Sequence, residues 1–479
     1  MKPTLYSLLF LLAFSASAQK KVLDHKDFDI WNTIRSQSLS NNGKYILYSL
    51  EKGEKDRFLK IKDTKANSIF NYDRVAGSRF TYDSKHAIFT IKEWKDSIVE
   101  MKRRKVKKSK MPKDTLAIFN LKSKSLTKIA NVKSYKVPQK WSGYVAYLLH
   151  DIKKPKAKAK DKDKKDKTSK KKPAKKSKKA KKVSAKNGYH LVVRNLATQK
   201  EDTIRYVKKY SFAKEGKRLT YITTGKDKTG GIYVLNLENN ATTEVFTAKN
   251  TSKYYQLSFN DNGNYLGFVV DTDTTKALVR PYQLYSWKGN GKAMKVIDES
   301  SAPKGYGVSS NGRISFSKDN SKMYFGLATP PIVKDTTLIK DEIVNVEVWA
   351  YDSPRLYTVQ ELQVRNDKRK SYTTAVHLNS NKVVQLATKE YPNARLGNEG
   401  NSNNVLVANA TPYMLESQWS AIRASDYAIV NSSTGVTTKI MSKVDGRVSL
   451  SPQGKYAYGY SAVDSTWFAF DIAKNTKVN

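Results

Sequence analysis

The chain has 479 residues, a formal net charge of +45 and no cysteine. Hydrophobic residues make up 39% of it, enough for a sizeable core. The lack of cysteine excludes disulfides, thiolate metal sites, cysteine nucleophiles and a lipid-modified N-terminal cysteine.

The first residues, MKPTLYSLLFLLAFSASAQK, combine Lys2, an apolar run from Leu8 to Phe14 and the small residues Ala16-Ser17-Ala18. That order predicts a secretory signal peptide over 1–18 and a mature chain over 19–479. No later stretch is apolar enough to span a bilayer as a helix, so the expected mature protein is exported and has no transmembrane segment. Without cysteine, a periplasmic location fits better than a disulfide-rich extracellular one, although secretion stays open. An exported protein rarely meets DNA, so no nucleic-acid partner is expected.

From residue 38 onward one phrase recurs: SLSNNGKYILYSL (38–50), RFTYDSKHAIFTI (79–91), YSFAKEGKRLTYIT (210–223), LSFNDNGNYLGFVV (257–270), ISFSKDNSKMYFGLA (314–328) and VSLSPQGKYAYGYS (448–461). Weaker copies lie at 135–149 and 394–410. Each reads as a short strand, a polar turn and an alternating strand. Gly43, Gly216, Gly263 and Gly454 are expected to supply the positive φ of a tight hairpin turn. A second strand–turn–strand phrase follows each copy, as in LAIFNLKSKSLTKI (116–129), LVVRNLATQKEDTI (191–204) and YAIVNSSTGVTTKI (427–440). Eight first hairpins alternate with eight second ones, and four antiparallel strands per unit predict an all-β fold, a β-propeller. Eight four-stranded blades are expected, starting near 36, 79, 134, 210, 256, 314, 394 and 447.

Three insertions interrupt the repeat. The first, at about 93–115, carries the basic cluster KRRKVKKSK (102–110). The second is the lysine tract 153–186, where nineteen lysines face only Asp161, Asp163 and Asp166. The third spans about 329–370. The two basic segments hold about half of the net charge. Both basic insertions are expected to be disordered loops, and the tract, which lacks apolar periodicity, is placed between two strands of one blade. It has no aromatic residue for base stacking, but a weak contact with anionic surfaces through Lys153–Lys186 stays open. Four Asn-x-Ser/Thr sequons, at Asn240, Asn250, Asn409 and Asn431, are expected by chance in this composition.

The nucleophile elbow G-x-S-x-G is absent. The near misses, GVSSN from Gly307 and GYSAV from Gly459, lack the last glycine. His25, His86, His150, His190 and His377 show no metal-ligand spacing, and a lone strand histidine reads as packing. No catalytic residue, metal site or cofactor site is assigned.

The lead-in DHKDFDIWNTIRSQSLSNNGKYILY (24–48), MPKDTLAIFNL (111–121), TPPIVKDTT (329–337) and VWAYDSPRLYTVQELQ (348–363), with the repeat phrase, resemble the N-terminal propeller of secreted Bacteroidetes-type serine peptidases of the prolyl oligopeptidase family. The resemblance implies a propeller that caps an α/β-hydrolase domain, with Ser, Asp and His in that chain order, and peptide cleavage, often after proline. This chain departs from the pattern by stopping at Asn479 without the elbow. It is therefore expected to be the gating and docking portion of an exported peptidase, split or truncated from its catalytic domain and inactive alone. The expected partners are a peptide substrate or the hydrolase domain or chain. Two alternatives stay open: a free-standing periplasmic propeller that binds a protein or peptide, and a basic module for anionic envelope surfaces.

Overall fold

The computed structural model describes residues 23–25, 27, 31–53, 55–65, 68–150, 186–225, 230–248, 252–275, 277–333, 335–344, 346, 348–462 and 464–478. The expected signal peptide, the lysine tract apart from Lys186, and the Asn250 sequon lie outside the described residues. Two compact units divide the chain between Tyr135 and Lys136.

The fold is all-β and of β-propeller type, built from antiparallel meanders. In the first unit, β1 (Asn32–Leu39), β2 (Tyr45–Lys52), β3 (Phe58–Asp63) and β4 (Ser68–Tyr72) pair in chain order. The next meander is β5 (Val75–Phe80), β6 (His86–Ile91), β7 (Asp114–Asn120) and β8 (Leu126–Lys136). One core fills the space between the two sheets, where Leu47, Leu59 and Ile61 from one meet Ala87, Phe89 and Phe119 from the other.

The second unit opens with a continuous run: β9 (Tyr144–Leu149), β10 (Tyr189–Asn195), β11 (Glu201–Phe212), β12 (Arg218–Thr223), β13 (Gly231–Asn236) and β14 (Thr242–Thr247). The twelve-residue β11 pairs with β10 through its first half and with β12 through its second. It bends at Tyr206, which has φ 56°. Next come β15 (Lys253–Phe259), β16 (Leu266–Asp271), β17 (Tyr282–Trp287) and β18 (Met294–Ile297). They are followed by β19 (Gly307–Val308), β20 (Ser315–Phe316), β21 (Lys322–Ala328), β22 (Tyr372–His377) and β23 (Val383–Gln385), where β19 and β20 both pair with β21. The last two meanders are β24 (Asn393–Leu396), β25 (Asn404–Asn409), β26 (Ala424–Asn431) and β27 (Thr437–Asp445), then β28 (Ser449–Leu450), β29 (Tyr456–Ser461), β30 (Thr466–Asp471) and β31 (Thr476–Val478).

The recurring phrase encodes one turn, seen five times. Its first residue is Ser40, Thr81, Asn260, Ser317 or Ser451. The side-chain oxygen of that residue accepts the backbone N–H five positions on, from Tyr45, His86, Tyr265, Lys322 or Tyr456, at 2.9–3.1 Å. In four of them the residue at the third place, Asn42, Asp83, Asn262 or Asp319, accepts the N–H two positions further. The fourth place is Gly43, Ser84, Gly263, Asn320 or Gly454, with φ between 57 and 76°. These side chains satisfy turn amides that would otherwise lack partners.

Gly216 departs from the expectation, since its φ is not positive. Ala213 stands at the first place of that turn and has no oxygen to close it. The glycine is needed there for a different reason: a Cβ would lie 1.9 Å from the carbonyl oxygen of Asn262.

The second phrase has its own turn. Asn120, Asn195, Asn431 and Asp471 each accept two successive backbone N–H groups, at 2.9–3.2 Å. Four positions after each, Lys124, Gln199, Gly435 and Asn475 adopt positive φ. The Asn431 sequon is thereby accounted for as turn chemistry.

Both elements at the first and third insertions differ from the sequence reading. Helix α1 (Lys95–Arg103) and a 3-10 turn at Lys108–Lys110 order the first basic cluster, which was expected to be disordered. Asp96 in its first turn and Lys102 and Arg103 in its last suit the helix dipole. Glu100 pairs with Arg103 and Arg104. Helix α2 (Tyr357–Asp367) lies in the third insertion.

Within β21, Gly326 sits against Gly312, and a Cβ on Gly326 would lie 2.6 Å from the Gly312 Cα. Both contacting groups are backbone and cannot swing away. Gly326→Ala should destabilise the protein by about 1–3 kcal/mol. Gly307→Ala, where nothing lies within 4 Å of the new Cβ, should cost less than 1 kcal/mol. Urea unfolding of the two variants checks the contrast.

Candidate interaction surface

No catalytic residue is expected from the sequence, and the described residues place the candidate serines in turns. Ser309, in GVSSN, is buried. Its Oγ accepts the N–H groups of Asn311 and Gly312 at 3.1 and 3.2 Å. Ser461, in GYSAV, ends β29 and donates to Asp464 at 2.9 Å. Neither leads into a helix, the context a nucleophile elbow needs. A cleft of about 340 Å³ is lined by Lys443, Asp445, Ser461, Asp464, Phe468 and Lys477, with no histidine. Among the described residues no group of three His, Asp or Glu side chains is placed to hold a metal ion.

The histidines are likewise dispersed. His377 Nε2 lies 2.8 Å from the Ser432 carbonyl oxygen. His150 and His190 sit edge-on or tilted against Tyr189 and Tyr206. His86 occupies the last place of the turn that begins at Thr81. Its Nε2 is 3.5 Å from the Asn120 amide nitrogen, and its buried Nδ1 has no hydrogen-bond partner among the described residues. Burial pushes its pKa below the ordinary 6.5, against the pull of Asp83, and Lys85 adds to the depression.

The meanders have two unlike ends. Five of their strand 1–2 connections are the short closed turns described above. In the second unit the strand 1–2 connections are laced by a chain of ion pairs: Lys140–Glu215 at 2.8 Å, Glu215–Lys318 at 3.2 Å, Lys318–Asp261 at 2.5 Å and Asp261–Lys214 at 2.8 Å. Hydrogen bonds from Lys140 and Lys318 hold the Glu215 carboxyl below its usual pKa. The strand 2–3 connections emerge at the opposite end of each antiparallel meander, and the long insertions fall there: 92–113 between β6 and β7, 150–188 between β9 and β10, 329–371 between β21 and β22.

The loop between β16 and β17 is pinned by Arg280. Its Nη2 is 2.7 Å from Oδ1 of Asp271, and its Nη1 is 2.5 Å from Oδ2 of Asp273. The hydroxyl of Thr275, with Arg280 close by, holds the Asp273 carboxyl down to about 2.

The 329–371 insertion carries the largest concentration of exposed apolar side chains among the described residues. Ile332, Val344, Val348, Trp349, Tyr351 and Leu362 are 70–100% exposed. Helix α2 buries no residue. Trp349 stacks on Tyr357 with ring centres 4.9 Å apart. Gln418 Nε2, in the strand 2–3 connection of the following meander, donates to the Ser353 carbonyl at 3.1 Å. That second loop adds Trp419, 73% exposed. Soluble proteins rarely leave so many large apolar groups together in water unless a partner covers them. Sequence reading marked this segment as an insertion but not as a surface. The apolar Ile343 and Trp349 flanking the alternating Val344, Val346 and Val348 were the available signal.

No family model matches the chain, and no curated protein matches it. Solved structures similar to it include the β-propeller domain of the Trilobed protease from Pyrococcus furiosus. That likeness has 11% identity and a TM-score of 0.33, over 87% of this chain and 100% of that one. A structure from a study of two prolyl endopeptidases has 10% identity and a TM-score of 0.37, over 98% of this chain and 59% of that one. Acylaminoacyl peptidase from Pyrococcus horikoshii has 10% identity and a TM-score of 0.33, over 93% and 58%. The chain thus spans less than two thirds of these last two proteins.

Protonation of His86 is opposed in the folded state, so the unfolded chain binds more protons as pH falls below 6.5. Stability should therefore fall between pH 7 and pH 5.5. His86→Gln should make that slope shallower. Denaturant midpoints across this range check it, and an unchanged slope would contradict the assignment.

Proposed function

We propose that this chain is the propeller portion of an exported serine peptidase of the prolyl oligopeptidase family. In this reading it docks a catalytic α/β-hydrolase partner and limits by size which peptides reach it, without cleaving bonds itself. The observation that carries the reading is the uncovered apolar surface of the 329–371 insertion, at the strand 2–3 end of its meander. A second polypeptide laid on that surface would remove its apolar area from water, at roughly 25 cal/mol per Å². The turn roles of Ser309 and Ser461 and the dispersed histidines fit a non-catalytic part. The resemblance of the lead-in and insertion segments to secreted peptidases of this family supplies the choice of partner.

The purified chain should not hydrolyse proline-containing reporter peptides. When it is immobilised and exposed to an envelope extract, it should retain a polypeptide that reacts with a fluorophosphonate serine-hydrolase probe. Trp349→Asp combined with Leu362→Asp should lower that retention at least tenfold, since each buried large apolar side chain contributes about 1.5–3 kcal/mol. Peptide hydrolysis by the isolated chain, or equal retention by the double variant, would overturn the reading.

A further inference from the structure

We infer that α1 and the turn after it, residues 95–113, form a docking surface for an anionic phospholipid surface. This rests on the first unit alone and is independent of any hydrolase partner. From Lys102 to Lys113 the chain carries eight cations and no carboxylate. Lys102, Arg103, Arg104, Lys105, Lys107, Lys108 and Lys110 are all exposed. Glu100 takes Arg103 and Arg104. Among the described residues no carboxylate pairs with Lys102, Lys105, Lys107, Lys108 or Lys110.

The spacing of these cations is fixed by the backbone. Val106 N–H reaches back to the Met101 carbonyl and Lys105 N–H to that of Lys102, both at 2.9 Å, closing the helix end. Lys105 takes φ 55° at that closure, a place where glycine or asparagine is usual. Lys110 N–H bonds the Lys107 carbonyl at 2.8 Å, and Lys113 Nζ bonds the Lys108 carbonyl at 3.1 Å. The helix dipole accounts for cations in the last turn of α1, at Lys102 and Arg103. It falls off within that turn and gives no reason for six more beyond it.

The occupant follows from what lies beside the cations. Helix α1 buries no residue. Val99 on it and Trp94 at its start are 42 and 43% exposed, with Arg74 over the Trp94 ring at 4.5 Å. A helix with a basic end, edged by an exposed aromatic and an aliphatic side chain, fits the boundary between charged headgroups and acyl chains. Single-stranded nucleic acid calls for aromatics interleaved with the cations, and 102–113 contains none.

The test is sedimentation of the full chain with phosphatidylcholine vesicles, with and without phosphatidylglycerol. It is run also in a chain whose 153–186 lysines are replaced by glutamine, so that tract does not mask the result. Each basic residue near an anionic surface is worth roughly fivefold in association. Lys105→Gln, Lys107→Gln and Lys108→Gln together should lower binding to the anionic vesicles about 100-fold in the glutamine-tract background. Trp94→Ser should lower it as well. Unchanged vesicle binding in the triple variant would overturn the inference. So would loss of dextran sulfate binding in the triple variant with vesicle binding indifferent to Trp94→Ser, which would assign the surface to a soluble polyanion.

Discussion

Every meander in this chain has two faces to cover, and a four-stranded sheet cannot cover either by itself. The cores therefore lie between successive sheets. In the second unit Ile222 and Val234 of one sheet meet Phe268 and Trp287 of the next. Val269 and Leu284 then meet Met323, Phe325 and Val376. Further along, Tyr324 and Ala375 meet Val405, Val407 and Ala428, and Leu406 and Ile429 meet Ala457, Phe468 and Phe470. Middle strands between two such cores are thus buried on both sides, β16 at all six positions, whereas β29 in the last meander alternates buried with exposed residues. This stacking explains why strands such as LGFVV read as continuous apolar runs rather than alternating ones. It also limits how close the sheets come, since a Cβ on Gly267 would lie 2.6 Å from Met323 Sδ.

Stacking fixes the sheets and leaves their connections unequal. Five of the strand 1–2 turns are held by their own side-chain oxygens, and an added residue would break the bond between the first and sixth places. The strand 2–3 connections lack that shared closure, although the one between β16 and β17 is pinned by Arg280. Lengthening one costs only about 0.6 kcal/mol per doubling in loop entropy. The insertions collect there because that is where growth leaves the cores undisturbed.

The fold was legible because its turn chemistry is written in short range. Ser40, Asn42 and Gly43 are neighbours in sequence and in the turn they make, and the same holds for Asn260, Asn262 and Gly263. Gly216 misled because its role depends on Asn262, a contact between different meanders that no local pattern reports. Helix α1 was hidden under its own charge: lysine and arginine are good helix formers, and Asp96, Glu100 and the last-turn cations give it an electrostatic reason to form. The exposed surface at 329–371 was illegible for another reason. Apolar residues in a sequence imply burial, and only coordinates distinguish those with a partner in the chain from those without one.

The two ordered insertions answer to opposite chemistry. The 329–371 segment exposes Trp349 and Leu362, and the 95–113 segment exposes lysines and arginines. An apolar surface of the first kind is an aggregation hazard in an otherwise neutral protein. With a net charge of +45, however, two copies of this chain repel before their apolar surfaces meet. A partner of opposite sign has no such barrier and is drawn in. In the reading given for α1, the same positive charge that keeps copies apart would draw in an anionic lipid surface. Charge selects which encounters occur, and local apolar contact then decides which of them last.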